Sequence, residues 1–214
     1  CFHGAAFIRG SSAEVRIPEP TMLGAAILIP ILAILGVIVL VAIFLIGFYN
    51  ALQRKKLAAE NSWSDIDVQL KRRHDLIPNL VGAVKGYASH ESNTFEAVTQ
   101  ARAAATSASS VSEQSGAENM LTQALGRLMV VAEAYPELKA NTNFLQLQEE
   151  LTSTENKIGF ARQHYNRTVS TFNEATKTFP SNVVAGMFGF SELDFFELDA
   201  DEAAAVKKAP KVEF

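Results

Sequence analysis

The residues that could do chemistry crowd one stretch of the chain. Asp65, Asp67, His74 and Asp75 fall close together and invite a metal-site reading. The spacing argues against it. Asp65 and Asp67 are two residues apart, so on a helix they point to different faces rather than converging on one ion. His74 and His90 are separated by Pro78. His90-Glu91 resembles half of a zincin helix, but Thr94 stands where the second histidine would have to be. No structural or catalytic metal is expected.

Nucleophilic chemistry fares no better. The single cysteine is Cys1, outside any folded domain, and neither a G-x-S-x-G elbow nor a glycine-rich phosphate loop occurs. One cysteine also rules out an intramolecular disulfide and a cysteine-based zinc site. Gly82 and Gly86 form a small-x-x-x-small pair that reads as close helix contact rather than a ligand cradle. Arg72 and Arg73, with Asp75, Glu155 and Arg162, read as surface or inter-helix ion pairs. Asn166-Arg167-Thr168 matches a glycosylation triplet, which means nothing in the middle of a cytoplasmic helix. No catalytic, cofactor-binding or metal-ligating residue is therefore assigned, no cofactor is expected, and the chain reads as a non-enzyme. No small-molecule substrate is evident.

The elements that would position such residues are helices throughout. From Asn50 to about Ala105, apolar residues Trp63, Ile66, Leu70, Ile77, Val81, Val84, Ala88, Phe95 and Val98 keep spacings of the seam of a packed helix. Pro78 removes a backbone donor and disfavours helix at Ile77, so a kink or short break is expected there. Residues 103–116 are small and polar and read as a flexible turn. A second helix over about 117–135 lines up Leu121, Leu125, Leu128 and Ala132, and Pro136 ends it. A third, over about 141–179, carries the clearest heptad seam: Phe144, Leu147, Leu151, Ile158, Tyr165, Val169, Phe172 and Phe179. No useful length shows strand-type alternation. The predicted fold is all-α, an N-terminal transmembrane helix followed by an antiparallel bundle of long coiled-coil-like helices. Trp63 and the seam aromatics are expected inside that bundle.

The transmembrane segment is Met22 to Tyr49, 28 residues without a charge. As a helix it would reach roughly 42 Å, against a hydrocarbon core of about 30 Å. Either a helix of about 20 residues beginning at Pro30 just crosses the core, or a longer one from Met22 tilts and kinks. A cleaved signal peptide fits less well, because the run is too long and lacks an A-x-A-like site. Arg54, Lys55 and Lys56 follow the span, while Arg9 and Arg16 on the other side are diluted by Glu14 and Glu19. The positive-inside rule then places the N-terminus outside and the long C-terminal part in the cytoplasm. Gly36, Ala42 and Gly47 would permit close approach of a second span, so self-association is expected. Residues 1–21 read either as a short external tail or as residues upstream of a natural start at Met22. A formal net charge of -4 excludes a strongly basic nucleic-acid binder.

After Pro180 the chain changes character. Phe188, Phe190, Phe195, Phe196 and Phe214 alternate with an acidic run from Glu192 to Glu202. Two uses are open: the aromatics fold back and cap the bundle, or the C-terminal Val212-Glu213-Phe214 is presented to a partner as an extended strand. Packing is the expected use, most securely for Phe188, Phe190, Phe195 and Phe196.

The block from Trp63 to Val81, WSDIDVQLKRRHDLIPNLV, resembles the LemA family. So do Val84 to Ala88, the stretch KANTNFLQLQEELTSTEN from Lys139, ARQHYN from Ala161, Phe179-Pro180, Phe188-Gly-Phe190 and the terminal PKVEF. The resemblance covers about Met22 to Phe214. It implies a bacterial membrane protein with a short external N-terminus and a cytoplasmic helical bundle, and it supplies no catalytic residues. The expected organisation is a tail at 1–21, a transmembrane helix at 22–49, a helical bundle at 50–180 and an aromatic, acidic segment at 181–214. The expected function is a membrane-anchored scaffold or adaptor in the bacterial inner membrane, self-associating and contacting the lipid bilayer and a possible membrane-protein partner. The alternative is an accessory or substrate-presenting subunit of a membrane protease or envelope-stress system.

Overall fold

Apolar residues at helical spacing dominate the chain, and the computed structural model, which describes residues 21–197 (side-chain surroundings from residue 27), is correspondingly all-α. Its helices are α1 (Thr21–Lys85), α2 (Ser92–Ser107), α3 (Val111–Glu133), α4 (Pro136–Lys139), α5 (Thr142–Lys177) and α6 (Ser181–Phe188). No strand occurs among the described residues. The chain divides into two compact units, one ending at Ile46 and the other beginning at Gly47.

In the first unit the described side chains of α1, from Ile27 to Ile46, are apolar on every side and none is buried. Leu45 is half-buried, and the other large side chains from Ile27 to Ile46 are exposed, from 48% at Phe44 to 68% at Leu40. A helix greasy all round and covered by nothing is a candidate membrane span.

The second unit is a bundle of α1 from Gly47 onward with α2, α3 and α5. Helix α5 runs antiparallel to α1, because Trp63 meets Tyr165 while Arg73, further along α1, meets Glu155, earlier in α5. The predicted seams are the core. Ile66, Leu70, Ile77 and Val84 of α1 are buried, as are Leu121, Leu125, Leu128 and Ala132 of α3, and Phe144, Leu151, Ile158, Tyr165, Val169 and Phe172 of α5. One cluster gathers residues of α1, α2 and α3 around Leu121 and Leu128. The other gathers Ile66, Leu70, Ile158, Tyr165 and Val169 around Phe196. Trp63 packs into this second cluster, its ring 5.4 Å from that of Tyr165 and 5.5 Å from that of Phe196.

Several expectations need correction. Helix α1 runs unbroken through Pro78 and stops at Lys85 instead. Pro78 cannot donate to the carbonyl of His74, and that carbonyl accepts from Arg102 Nε at 2.7 Å. A side chain of α2 thus supplies the bond that proline removes, while buried Ile77 and Leu80 hold the helix on either side. The stretch 103–116 is mostly helical, with only residues 108–110 between α2 and α3. Ser110 Oγ accepts from the Glu113 N–H, and Glu113 Oε2 accepts from Ser109 N–H and Oγ, so the polar run is a helix cap rather than a flexible turn. These bonds hold the Glu113 carboxyl below its usual range. Gly82 and Gly86 do not mediate close helix contact. A side chain at Gly82 would meet open space, and one at Gly86 would meet only its own helix's backbone. Last, Phe179 ends the α5 seam in solvent rather than in the core.

The residues after α6 form a strap. Gly189 adopts φ 72° and closes α6, with Phe190 N–H donating to Ala185 O at 3.0 Å. The chain then runs extended along α5. Asn166 donates to Phe196 O and accepts from Phe196 N–H, and Asn173 does the same with Leu193. Two asparagines seven residues apart lie on one face of α5 and satisfy the strap's backbone as a neighbouring strand would. Phe196 is buried beneath it, but Phe188 and Phe195 are exposed, contrary to expectation. Phe214 and the acidic residues beyond Glu197 lie outside the described residues.

Candidate functional site

The one concentration of buried polar groups in the bundle grows out of two seam positions that are charged. In α1 the buried register Ile66, Leu70, Arg73, Ile77, Leu80, Val84 places an arginine where an apolar residue would serve packing. In α3 the register Glu118, Leu121, Leu125, Leu128, Ala132 does the same with a glutamate. The two meet: Arg73 Nη1 lies 3.0 Å from Glu118 Oε2, with side-chain exposures of 5% and 6%.

The rest of the network neutralises and satisfies this pair. Arg73 Nη2 donates to Thr122 Oγ1 at 2.9 Å and to Glu155 Oε1 at 3.1 Å. The other Glu118 oxygen, Oε1, accepts from Gln114 Nε2 at 3.0 Å and faces His74 Nε2 at 2.6 Å. Because an ionised carboxylate only accepts, Nε2 is the protonated nitrogen of His74 in this contact. Gln114 also donates to Ala105 O. Side chains from α1, α3 and α5 and backbone from α2 are thereby joined through a single carboxylate and a single guanidinium.

Beside the network, Arg73, Glu118, Thr122, Glu155, Arg162 and Phe196 line a cavity of about 120 Å³. That volume is small against the roughly 300–1,000 Å³ of ligand pockets, although it is roomy enough for water. Arg73 Nε is buried without a protein partner and belongs to the same side chain that borders this cavity. A wider groove of about 700 Å³ follows the strap past Ser112, Asn119, Asn173 and Asp194. No group of three or more His, Cys, Asp or Glu side chains able to hold a metal occurs among the described residues.

The sequence candidates are scattered by the fold. Asp65, Asp67, Asp75 and His90 are exposed, and only His74 enters the network. Arg73 is a buried inter-helix ion pair, whereas Arg72 only approaches Glu150, at 4.0 Å on the surface. Glu118, Gln114 and Thr122 were not anticipated. The signal that finds Glu118 is its place in the 3-4-3-4 register of α3, where a charge is out of character. Asn166 turns out to hold the strap. Tyr165 does too: its hydroxyl donates to Asp194 O at 2.8 Å, and burial, aided by the Asp194 charge, pushes the phenol up to about 12.

The His74–Glu118 contact ties α1 to α3 through a carboxylate that Arg73 and Gln114 also engage, and Glu118 borders the cavity of about 120 Å³.

The chain has relatives among known proteins. The chain is 28% identical over 167 residues to Protein LemA of Metamycoplasma hominis, covering 73% of this chain and 76% of that protein. It is 25% identical over 193 residues to Magnetosome protein MamQ 2 of Paramagnetospirillum magneticum, covering 78% and 71%. A third relative, Magnetosome protein MamQ of Magnetospirillum gryphiswaldense, is 25% identical over 174 residues, covering 69% and 64%. None of these names is that of an enzyme. The LemA family model matches residues 62–214, which takes in the second part of α1, the buried network and the strap, and the chain belongs to the LemA family.

Proposed function

We propose that this protein is a non-catalytic scaffold or adaptor tethered in the bacterial cell membrane by the apolar part of α1. The N-terminus lies outside, the bundle lies in the cytoplasm, and copies of the chain associate. The observation that carries the reading is the unburied apolar run from Ile27 to Ile46 joined to a bundle whose buried Arg73 and Glu118 pair with each other. A segment of that hydropathy is costly in water and at home in lipid. Arg54, Lys55 and Lys56 after the run support the cytoplasmic side for the bundle.

The buried Arg73–Glu118 pair fits a scaffold better than a catalyst. Desolvating two charges costs several kcal/mol per ion, which mutual attraction only partly offsets. What such a pair gives in return is register, because any helix shift strips a buried charge of its partner. A protein that presents surfaces at fixed positions gains from that.

The test is purification of the intact chain from native membrane into lipid nanodiscs, followed by mass measurement. A discrete multiple of the 23.2 kDa chain is expected. A strictly monomeric mass in nanodiscs and in mild detergent would overturn self-association. Orientation is tested separately through the single cysteine: a membrane-impermeant thiol reagent should label Cys1 on intact cells, and labelling only after permeabilisation would reverse the assignment.

A further inference from the structure

The stretch from Thr178 to Ser191 contains no charged residue. The two charges that bracket it, Lys177 and Glu192, neutralise each other at 2.8 Å. Inside it, α6 buries Val184 and Ala185 against the bundle and turns Val183, Met187 and Phe188 outward. Val183 and Met187 stand one helical turn apart on the same face. Phe179, just before α6, is 78% exposed, and Met187 is 63% exposed. Elsewhere on the bundle, exposed large apolar residues such as Val68, Met120, Val130 and Phe160 are at least eight residues from one another along the chain, as on any protein surface. Here four occur within ten residues of chain, without a charge among them. A concentrated patch of this kind marks a surface that meets something other than water.

Its place in the bundle says what that is. The Tyr49 ring packs against Phe188 at 4.9 Å and Phe190 at 5.6 Å. Tyr49 is three residues along the chain from Ile46, where the apolar unit ends, and three residues span at most about 11 Å. Helix α6 is therefore fixed to the very end of the bundle from which the apolar run departs. Tyrosine and phenylalanine at that depth suit the boundary between headgroups and acyl chains, and Arg54, Lys55 and Lys56 lie one to two turns further along α1.

We infer that the edge formed by Phe179, Val183, Met187 and Phe188 is a lipid-binding foot that rests in the headgroup boundary of the bilayer crossed by the apolar run. This rests on the tether reading above. It holds for either orientation of the chain. The foot gives the bundle an attachment point of its own.

The test uses the full chain in liposomes of phosphatidylcholine and phosphatidylglycerol, in a Cys1→Ser background. Nitroxide labels are placed singly through Met187→Cys and Val183→Cys, with Ile38→Cys as a reference in the span and Phe160→Cys as a reference on α5. Two positions in α6 guard against one substitution disturbing the helix. The expected result is that labels at 183 and 187 meet oxygen more readily than a water-soluble nickel chelate, less so than at 38, while the label at 160 shows the reverse preference. If 38 reads as lipid and both 183 and 187 match 160, the foot is overturned and the tether stands. If 183 and 187 are shielded from both reagents and show spin–spin broadening, a second copy covers the edge and the lipid assignment is overturned. If 38 itself reads as aqueous, the tether reading fails and the foot fails with it.

Discussion

The two parts of α1 make opposite use of the same amino acids. From Ile27 to Ile46 the helix carries leucine, isoleucine and valine around its whole circumference, and none is buried in protein. After Gly47 the same residue types gather along a stripe, and Ile66, Leu70, Ile77, Leu80 and Val84 of that stripe are almost wholly buried. Between them, on that stripe, sits Arg73, the kind of residue the first part lacks altogether. The difference teaches that the helix has two surroundings. One part is suited to a medium that rewards uniform greasiness and excludes charge. The other is suited to a protein interior that rewards shape and tolerates a charge only when it is paired.

The sharpest way to break this comparison is to remove the charge the second part tolerates. Arg73→Ala leaves Glu118 buried with His74 and Gln114 but no permanent counter-charge, and should destabilise the bundle by about 3–5 kcal/mol. Denaturant melts followed by circular dichroism check it. A loss below about 1 kcal/mol would mean that the network is hydrated and contributes little.

The next effect compares like substitutions in the two parts. Ile66→Ala and Leu151→Ala each open space in the core and should cost about 2–5 kcal/mol. Leu35→Ala, in the uncovered part, should leave bundle unfolding within about 0.5 kcal/mol, the range of surface changes. Equal effects at 35 and 66 would erase the distinction between the two parts.

A smaller change sharpens the account of the strap. Asn173→Ala strips partners from the Leu193 backbone and should cost about 1–3 kcal/mol, mostly through the unsatisfied groups it leaves. Protease accessibility of residues 190–197 should rise with it.

The smallest effect is spectroscopic. Tyr165 should ionise at about 12. Its folded value lies above the unfolded one of about 10. The stability that its neutral form contributes is complete below that unfolded value and falls away as pH rises toward 12. Ultraviolet titration of the folded chain checks it, and Tyr165→Phe should abolish the step near 12.

The parts of the fold that were legible beforehand are those that depend on periodicity. Seam residues such as Leu121, Leu151 and Val169 are buried because a helix with one apolar stripe has one way to hide it. Glu118 was legible as an anomaly in that register, but its partner Arg73 lies 45 residues away, and nothing in either local stretch names the other. Pro78 misled for the same reason: the lost bond is local, whereas its replacement by Arg102 comes from another helix. The strap has no period at all. Its backbone is held by Asn166 and Asn173, which become recognisable as a pair only when both are seen on one face of α5.

The central claim is that the apolar part of α1 holds this protein in a bilayer, and alkaline carbonate extraction of membranes tests it most directly. The intact chain should stay with the membrane pellet, and a chain lacking residues 22–46 should be released into the supernatant. Release of the intact chain by carbonate would contradict the account.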